Sequence, residues 1–127
     1  MEQSINEIKL NGIDYVRKDS VDESKMVCVD GLQMVMIRTY SAGVHYGYLH
    51  KKESTLSGIE VELVQARRVW SWSGAASLSQ LAMEGTSKPD DCKFPCFVNA
   101  IILVAIEIIP MTVKAVNSLN KVKIWSE

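Results

Sequence analysis

The residues best suited to binding chemistry lie in one short stretch, residues 66–72, which reads Ala-Arg-Arg-Val-Trp-Ser-Trp. In a β-strand, side chains alternate between the two faces of the sheet, so Arg68, Trp70 and Trp72 are expected on one face. Arg67 is expected on the other face, unless a bulge exchanges the two arginines. An indole ring stacks on a nucleobase, and a guanidinium binds phosphate through paired hydrogen bonds. The pattern therefore predicts a site for a phosphorylated aromatic ligand; the alternative is that both Trp are core residues and both Arg face solvent.

The stretch after the second Trp is a turn of small residues that leads into a helix. Ser77 and Gln80 form the Ser-x-x-Gln pattern of a capping box, which predicts a helix over residues 78–84 that stops at a glycine. Backbone N–H groups at a helix N-terminus bind anions. We therefore expect Gly74, Ala75 and Ser77 to bind phosphate beside the aromatic strand.

A second segment of mixed polar character, RTYSAGVH, occupies residues 38–45. It contributes a cation, a phenol, a hydroxyl and an imidazole, which belong to Arg38, Tyr40, Ser41 and His45. The apolar pattern predicts strands over residues 33–41 and 44–49, joined by a two-residue turn that places Tyr40 opposite His45. An ordinary hairpin is the alternative interpretation. Together with the aromatic strand, this hairpin would form a pocket for a compact phosphorylated ligand.

Catalytic and metal-binding patterns are weak in this sequence. His45 and His50 are five residues apart and point to opposite faces of one strand. Cys92 and Cys96 lack a second pair of ligands that would complete a zinc site. No Walker pattern, dinucleotide-binding glycine pattern or nucleophile elbow occurs. We expect no metal, no cofactor and no catalytic residue; the enzyme alternative is a phosphodiesterase in which His45 and Tyr40 act as acid and base.

The length and composition suit a single domain that spans residues 1–127. The chain is 47% hydrophobic and has a net charge of -1, so it lacks the uniform positive field that long nucleic acid requires. Three cysteines without the spacing of a disulfide framework indicate a reducing cytosol, and we expect free thiols. The longest apolar run, residues 97–109, is too short to cross a membrane.

The order of apolar and turn patterns predicts an α+β fold in which β-strands dominate. Residues 1–25 are expected to form an N-terminal hairpin at Asn11-Gly12 and a linker, and residues 32–125 the main body. The further elements expected are a polar loop over residues 51–58, strands over residues 59–72 and 98–109, a helix capped by Thr112, and a last strand over residues 121–125. The whole should be a small curved antiparallel sheet or open barrel with two short helices.

The strand over residues 98–109 is apolar on both faces, and Glu107 is its only charge. A chain this short has few layers with which to cover both faces. We therefore expect a homo-oligomer, a dimer or tetramer, in which a second copy buries the remaining face.

The motifs named above, together with others further along the chain, resemble those of a family of small proteins from tailed bacteriophages. The matching motifs are RTYSAGVH at residues 38–45, ARRVW at 66–70, GAASLSQLAMEG at 74–85, CKFP at 92–95 and IEIIP at 106–110. The sequence departs from the family pattern in residues 96–103, which are more hydrophobic, and at Met111, where a Cys is familiar.

The resemblance implies a function in the evasion of host immunity. It implies an anti-defence protein that works in the host cytoplasm and sequesters an immune nucleotide signal of CBASS-type systems, a cyclic dinucleotide or trinucleotide, without cleaving it. The alternative is a phage protein that inhibits a host protein through an apolar surface. The expected mark of that alternative is an exposed hydrophobic patch larger than roughly a few hundred Å².

Overall fold

A computed structural model of the chain describes residues 9–10, 12–13 and 23–126. The strands are β1 (Lys9–Leu10), β2 (Gly12–Ile13), β3 (Cys28–Val29), β4 (Leu32–Thr39), β5 (Val44–Thr55), β6 (Gly58–Val69) and β7 (Val98–Pro110). The helices are α1 (Leu78–Glu84), a 3-10 turn (Pro89–Asp91) and α2 (Val113–Asn120). This is the predicted α+β fold with a curved antiparallel sheet and two short helices.

The four long strands form a sheet that closes on itself. Its order is β3-β4-β5-β6-β7, every pairing is antiparallel, and β4 pairs with β7 as well. The first half of β7 pairs with β6, from Val98 to Ala105, and its second half pairs with β4, up to Pro110. The hydrogen-bond ladder therefore runs around a small barrel, and the two ends of β7 lie in different surroundings.

The core divides into two clusters on either side of β4, because alternate side chains of this strand point in opposite directions. Val35 and Ile37 pack inside the barrel against β6 and β7, with Leu63 and Leu103 among their neighbours. Met34 and Met36 belong to the cluster that the helices cover, with Leu81, Phe94, Ala115 and Leu119. Both faces of β4 are thus buried, which fixes its register.

The two helices begin where their capping residues predict. The Ser77 hydroxyl accepts a hydrogen bond from the Gln80 backbone N–H, and the Gln80 side chain accepts one from the Ala76 N–H. The Thr112 hydroxyl likewise accepts from the Ala115 N–H at the start of α2. Gly85 ends α1 with a positive φ of 77°. Hydroxyl caps of this kind satisfy N–H groups that have no partner within the helix.

Several expected boundaries differ from those in the structure. Residues 51–55 are part of β5, because their pairing with β6 continues to Thr55, whereas a polar loop was expected there. The strand that was expected over residues 59–72 ends at Val69. Beyond it, a single bridge joins Ser71 to Lys93. Residues 121–125 contain one parallel bridge between Ile124 and Phe94 and no strand.

The N-terminal hairpin is described in part. β1 and β2 pair antiparallel, and Gly12 already belongs to the second strand. The other proposed turn residue, Asn11, and the linker residues 14–22 lie outside the described residues.

Candidate functional site

An open groove lies where the start of β5, the end of β6 and the start of β7 meet. It has a volume of about 560 Å³, which is within the usual range for small-molecule sites. It is lined by His45, Arg68, Trp70, Pro95, Cys96, Val98, Ile101 and Trp125. Four of these residues, Trp70, Val98, Ile101 and Trp125, are aliphatic or carry an indole ring, and Arg68 is the one Arg or Lys among the eight.

Arg68 provides the positive charge of the groove. It lies opposite His45 in the ladder between β5 and β6 and is partly exposed. Within residues 23–126 its guanidinium makes no hydrogen bond or ion pair. A guanidinium in an apolar setting without a protein acceptor is suited to a carboxylate or phosphate.

Two indole rings form an aromatic wall. Trp70 stacks on Trp125 with ring centroids 6.3 Å apart and ring planes 13° from parallel. Trp70 nevertheless remains 60% exposed, so much of its ring is available for further contact. The ammonium of Lys93 lies over the Trp125 ring, 5.6 Å from its centroid. The wall provides a stacking surface beside Arg68.

His45 is buried in the wall of the groove and is only 1% exposed. Its Nε2 lies 2.9 Å from the Ala42 carbonyl oxygen. A carbonyl only accepts, so Nε2 carries the hydrogen and donates it. Burial lowers the pKa of His45, and the nearby Arg68 charge lowers it further, while the bond to Ala42 acts in the opposite direction. The imidazole is therefore neutral at pH 7.

Arg67, expected as a possible phosphate ligand, is a core residue. Its guanidinium donates to the backbone carbonyls of Pro95, Leu119, Phe94 and Val122 at 2.9 to 3.2 Å. It also lies 4.8 Å from the centroid of the Phe97 ring. Only 1% of the residue is exposed. Arg67 therefore fixes the C-terminal end of α2 to the barrel and is not available to a ligand.

Strand alternation separates the two arginines as predicted. An extra residue interrupts β6 at Gln65, which has a positive φ of 52°, but this irregularity precedes both arginines. From Arg67 onward the side chains alternate, so that Arg68 and Trp70 share the groove face. Trp72 is half-buried and packs against the cluster beneath the helices. The core alternative is therefore right for Trp72 and wrong for Trp70.

The small-residue turn does not reach the groove. Gly74 adopts a φ of 87° and packs against residues 86–88, where a Cβ would collide with backbone. Ala75 packs against the cluster beneath the helices, and the Ser77 hydroxyl is used as the cap of α1. None of the three lines the groove, so the structure does not bring this turn together with Arg68 and Trp70.

The site residues predicted in the hairpin between β4 and β5 do not all lie in the groove. The loop between β4 and β5 has four residues, not two, because the Thr39 hydroxyl bonds to both Ala42 and Gly43. Ile37 therefore faces His45, and Tyr40 is 91% exposed in the loop.

Two further hairpin residues lie outside the groove. Arg38 pairs with Glu107 at 2.8 Å on the surface. Ser41 lines a shallow cleft that adjoins the groove at Arg68 and Trp70.

The structure thus brings together three predicted site residues, His45, Arg68 and Trp70, with Ser41 nearby. Sequence reasoning missed Trp125 and the wall formed by Pro95, Cys96, Val98 and Ile101. No periodic pattern could have placed Trp125, because the chain reaches Trp70 through the single bridge between Ile124 and Phe94.

Residues 23–126 contain no cluster of three or more His, Cys, Asp or Glu residues that could hold a metal ion. The cysteines in this range are free thiols: Cys28 and Cys96 are exposed and Cys92 is buried. No helix in the described part of the chain is long and apolar enough to cross a membrane.

Comparison with protein-family profiles identifies the family of the chain. No curated protein and no solved structure matches the sequence. A family profile described as "Domain of unknown function (DUF6948)" matches residues 32–119, which include β4 to α2 and most of the groove. Because this match covers more than half of the 127 residues, the chain belongs to the DUF6948 family.

Proposed function

We propose that the protein binds a cyclic nucleotide in the groove and sequesters it intact. The observation that carries this proposal is the guanidinium of Arg68, which has no partner in the described part of the chain and stands beside the stacked Trp70 and Trp125. A nucleotide offers the two matching groups, a phosphate and a flat base.

The energies of these contacts suit reversible capture. Stacking of a base on an aromatic ring contributes about 1–3 kcal/mol. A hydrogen bond that involves a charged group contributes about 1.5–3 kcal/mol. Trp70 and Arg68 would supply one contact of each kind, while Val98 and Ile101 exclude water from one side of the ligand. No feature of this arrangement requires bond cleavage.

The biological setting follows from the resemblance to tailed-phage proteins. A phage protein in the host cytoplasm that binds a cyclic dinucleotide or trinucleotide lowers the concentration of the free signal below the level that activates CBASS effectors. Such a protein acts by stoichiometry, so it needs affinity and abundance and no turnover. The groove is consistent with this requirement because it provides binding groups that are already in place.

We further propose that the protein is a homo-oligomer, a dimer or tetramer, formed through β7. The outward side chains of this strand form an apolar row that is substantially exposed: Val98, Ala100, Ile102, Val104 and Ile106. Ile102 is 62% and Ile106 52% exposed. Exposed rows of this kind mark interaction surfaces. A second copy of the chain would cover the row and adjoin the groove at Val98.

The same row favours a second candidate function, inhibition of a host protein through an apolar surface. In that case a host protein covers β7, and the groove has no role in the activity. The two candidates differ in whether Arg68 matters, because Arg68 lies in the groove and outside the apolar row.

The test is recovery of the ligand. The protein is incubated with cyclic di-GMP, cyclic di-AMP or cyclic tri-AMP, filtered to measure free nucleotide, and then denatured by heat. Sequestration predicts that free nucleotide is depleted and that the intact compound returns after denaturation. An Arg68→Ala variant should remove less of the free nucleotide than the wild type does. Arg38→Ala, which alters an arginine outside the groove, should remove as much free nucleotide as the wild type.

Two results would contradict the proposal. Recovery of a cleaved product would show an enzyme. Nucleotide that stays free with every compound, together with an Arg68→Ala protein that keeps its anti-defence activity, would favour the host-protein candidate.

A further inference from the structure

We infer that His45 accepts a hydrogen bond from an N–H group of the ligand's base, so that the groove requires a base with an N–H donor on its edge. This inference rests on the proposed function and deepens it, since it assigns a specificity-determining residue and the ligand chemistry that this residue reads.

The first step is the tautomer of the imidazole. Because Nε2 donates to the Ala42 carbonyl at 2.9 Å, a neutral ring carries no hydrogen on Nδ1. Nδ1 is then an acceptor with a free lone pair. The loop that holds the Ala42 carbonyl in place is itself fixed by the Thr39 hydroxyl, which accepts from the Ala42 N–H at 2.8 Å and donates to the Gly43 carbonyl.

The second step is that this acceptor has no protein partner. Among residues 23–126, the bond to the Ala42 carbonyl is the one hydrogen bond that the imidazole of His45 makes. The residue is nevertheless 1% exposed, so bulk water does not solvate its ring freely. Buried acceptors without partners are rare in folded proteins and cost free energy. A ligand N–H in the groove would satisfy Nδ1.

The third step concerns the charged and titratable groups around the ring. Arg68 faces His45 from β6, and the Cys96 thiol lines the same groove from the segment before β7. The Arg68 cation disfavours a second positive charge on His45. The two residues therefore have different roles: Arg68 is the group that can bind phosphate, and neutral His45 is the group that can accept from a base.

The consequence is a requirement on the ligand. Adenine and guanine present N–H groups on their edges, whereas an unsubstituted purine ring presents none while keeping the same stacking face. A cyclic dinucleotide built from purine riboside therefore keeps the phosphates and the stacking but lacks the donor. It serves as a probe for the bond to His45.

The test also uses two variants of the protein. One loses the acceptor at the position of Nδ1, and the other loses the hydrogen bond to Ala42. In His45→Gln the longer amide can keep the bond to the Ala42 carbonyl but places no acceptor at the position of Nδ1. In His45→Asn the amide oxygen can take the position of Nδ1 while the bond to Ala42 is lost. Binding is measured by quenching of tryptophan fluorescence with cyclic di-AMP, cyclic di-GMP and the purine-riboside dinucleotide, and folding by thermal melting.

The expected result is that the wild type binds whichever of cyclic di-AMP and cyclic di-GMP it prefers about five- to tenfold more tightly than the purine-riboside dinucleotide, the scale of one neutral hydrogen bond. His45→Gln should lose this preference, and His45→Asn should regain part of it. Equal wild-type affinity for the natural and purine-riboside compounds would overturn the inference even if a variant fails to fold. Wild-type protein that binds neither these three compounds nor cyclic tri-AMP would instead overturn the proposed function, and with it this inference.

Discussion

Arg67 and Arg68 are neighbours in the chain and lie in opposite environments. The guanidinium of Arg67 donates to four backbone carbonyls in the core, while the guanidinium of Arg68 has no hydrogen-bond partner within residues 23–126. Hydrogen bonds to these carbonyls offset the free-energy cost of removing the Arg67 cation from water. Two of the carbonyls, those of Leu119 and Val122, lie at and just after the C-terminal end of α2, where the helix dipole also favours a positive charge. One sequence motif therefore supplies a structural residue and a ligand-binding candidate.

We expect Arg67→Lys to destabilise the fold by about 1.5–3 kcal/mol, the scale of a hydrogen bond to a charged group. Lysine keeps the charge but has a single nitrogen, which cannot serve carbonyls on both α2 and residues 94–95. Urea denaturation measures the change. The control is Arg38→Lys, whose surface ion pair with Glu107 should alter stability by less than about 1 kcal/mol. Equal effects of the two variants would contradict the structural role of Arg67.

The lowered pKa of His45 makes stability depend on pH. Burial is the main cause and the Arg68 charge adds to it, so the ring takes up a proton less readily in the folded than in the unfolded chain. The contribution of neutral His45 to the free energy of unfolding is fully present above pH 6.5, the pKa of an unperturbed histidine. This contribution is lost as the pH falls from 6.5 to the lower pKa of His45 in the folded chain. Comparison of the wild type with His45→Gln by urea denaturation at pH 7.5 and pH 5.5 tests this. The wild type should lose more stability on acidification than the variant; a parallel loss in both would be inconsistent with the pKa shift.

At the scale of the elements, the end of α1 depends on a glycine. Gly85 has a φ of 77°, and a Cβ at this position would collide with the Ser118 side chain of α2. Gly31 has a similar φ of 79°, but no atom lies within 4 Å of the position that its Cβ would take. Gly31→Ala therefore measures the cost of the backbone conformation alone, about 1–2 kcal/mol.

We expect Gly85→Ala to cost about 1–3 kcal/mol more than Gly31→Ala, because it adds overpacking between α1 and α2. Thermal or urea unfolding of the two variants gives the difference. Equal losses would indicate that α1 and α2 move apart easily and that their contact is not rigid.

The elements were predictable where local chemistry decides them. The caps Ser77 and Thr112 and the stop at Gly85 are set by side chains within four residues of the helix ends, and the structure has both helices at these positions. The arm of β5 over residues 51–55 was missed because its side chains are polar and exposed, so that no alternation of apolar residues marks it. Its pairing with β6 satisfies the backbone while the side chains remain in solvent.

At the scale of the whole molecule, the site was predictable only in part. Alternation placed Arg68 and Trp70 on one face, since the two residues are two positions apart in the same extended segment. It could not place Trp125, which reaches the groove from the far end of the chain, nor show that Arg67 points at the end of α2. Contacts between residues that are far apart in the chain depend on packing, which no local pattern encodes.

The apolar row on β7 leads to a prediction about assembly. Ile102→Asp places a charge in the middle of the row, and we expect it to shift the protein toward the 14.2 kDa monomer with little effect on melting, because Ile102 is 62% exposed in the single chain. Light scattering at micromolar concentration measures the mass. The matched control is Val29→Asp on β3, a 48% exposed apolar residue that is not part of the row. A wild-type protein that is already a stable monomer would contradict the proposed oligomer.

The most direct test of the binding account is calorimetric titration of the wild type, Arg68→Ala and Trp70→Ala with cyclic di-AMP, cyclic di-GMP and cyclic tri-AMP. We expect the wild type to bind at least one of them, Arg68→Ala to lose about 1.5–3 kcal/mol of binding free energy, and Trp70→Ala to lose about 1–3 kcal/mol. Both variants should melt close to the wild type, because Trp70 is 60% exposed and Arg68 is partly exposed. If the wild type binds none of these compounds, or if both folded variants bind as tightly as the wild type, the groove is not a nucleotide site.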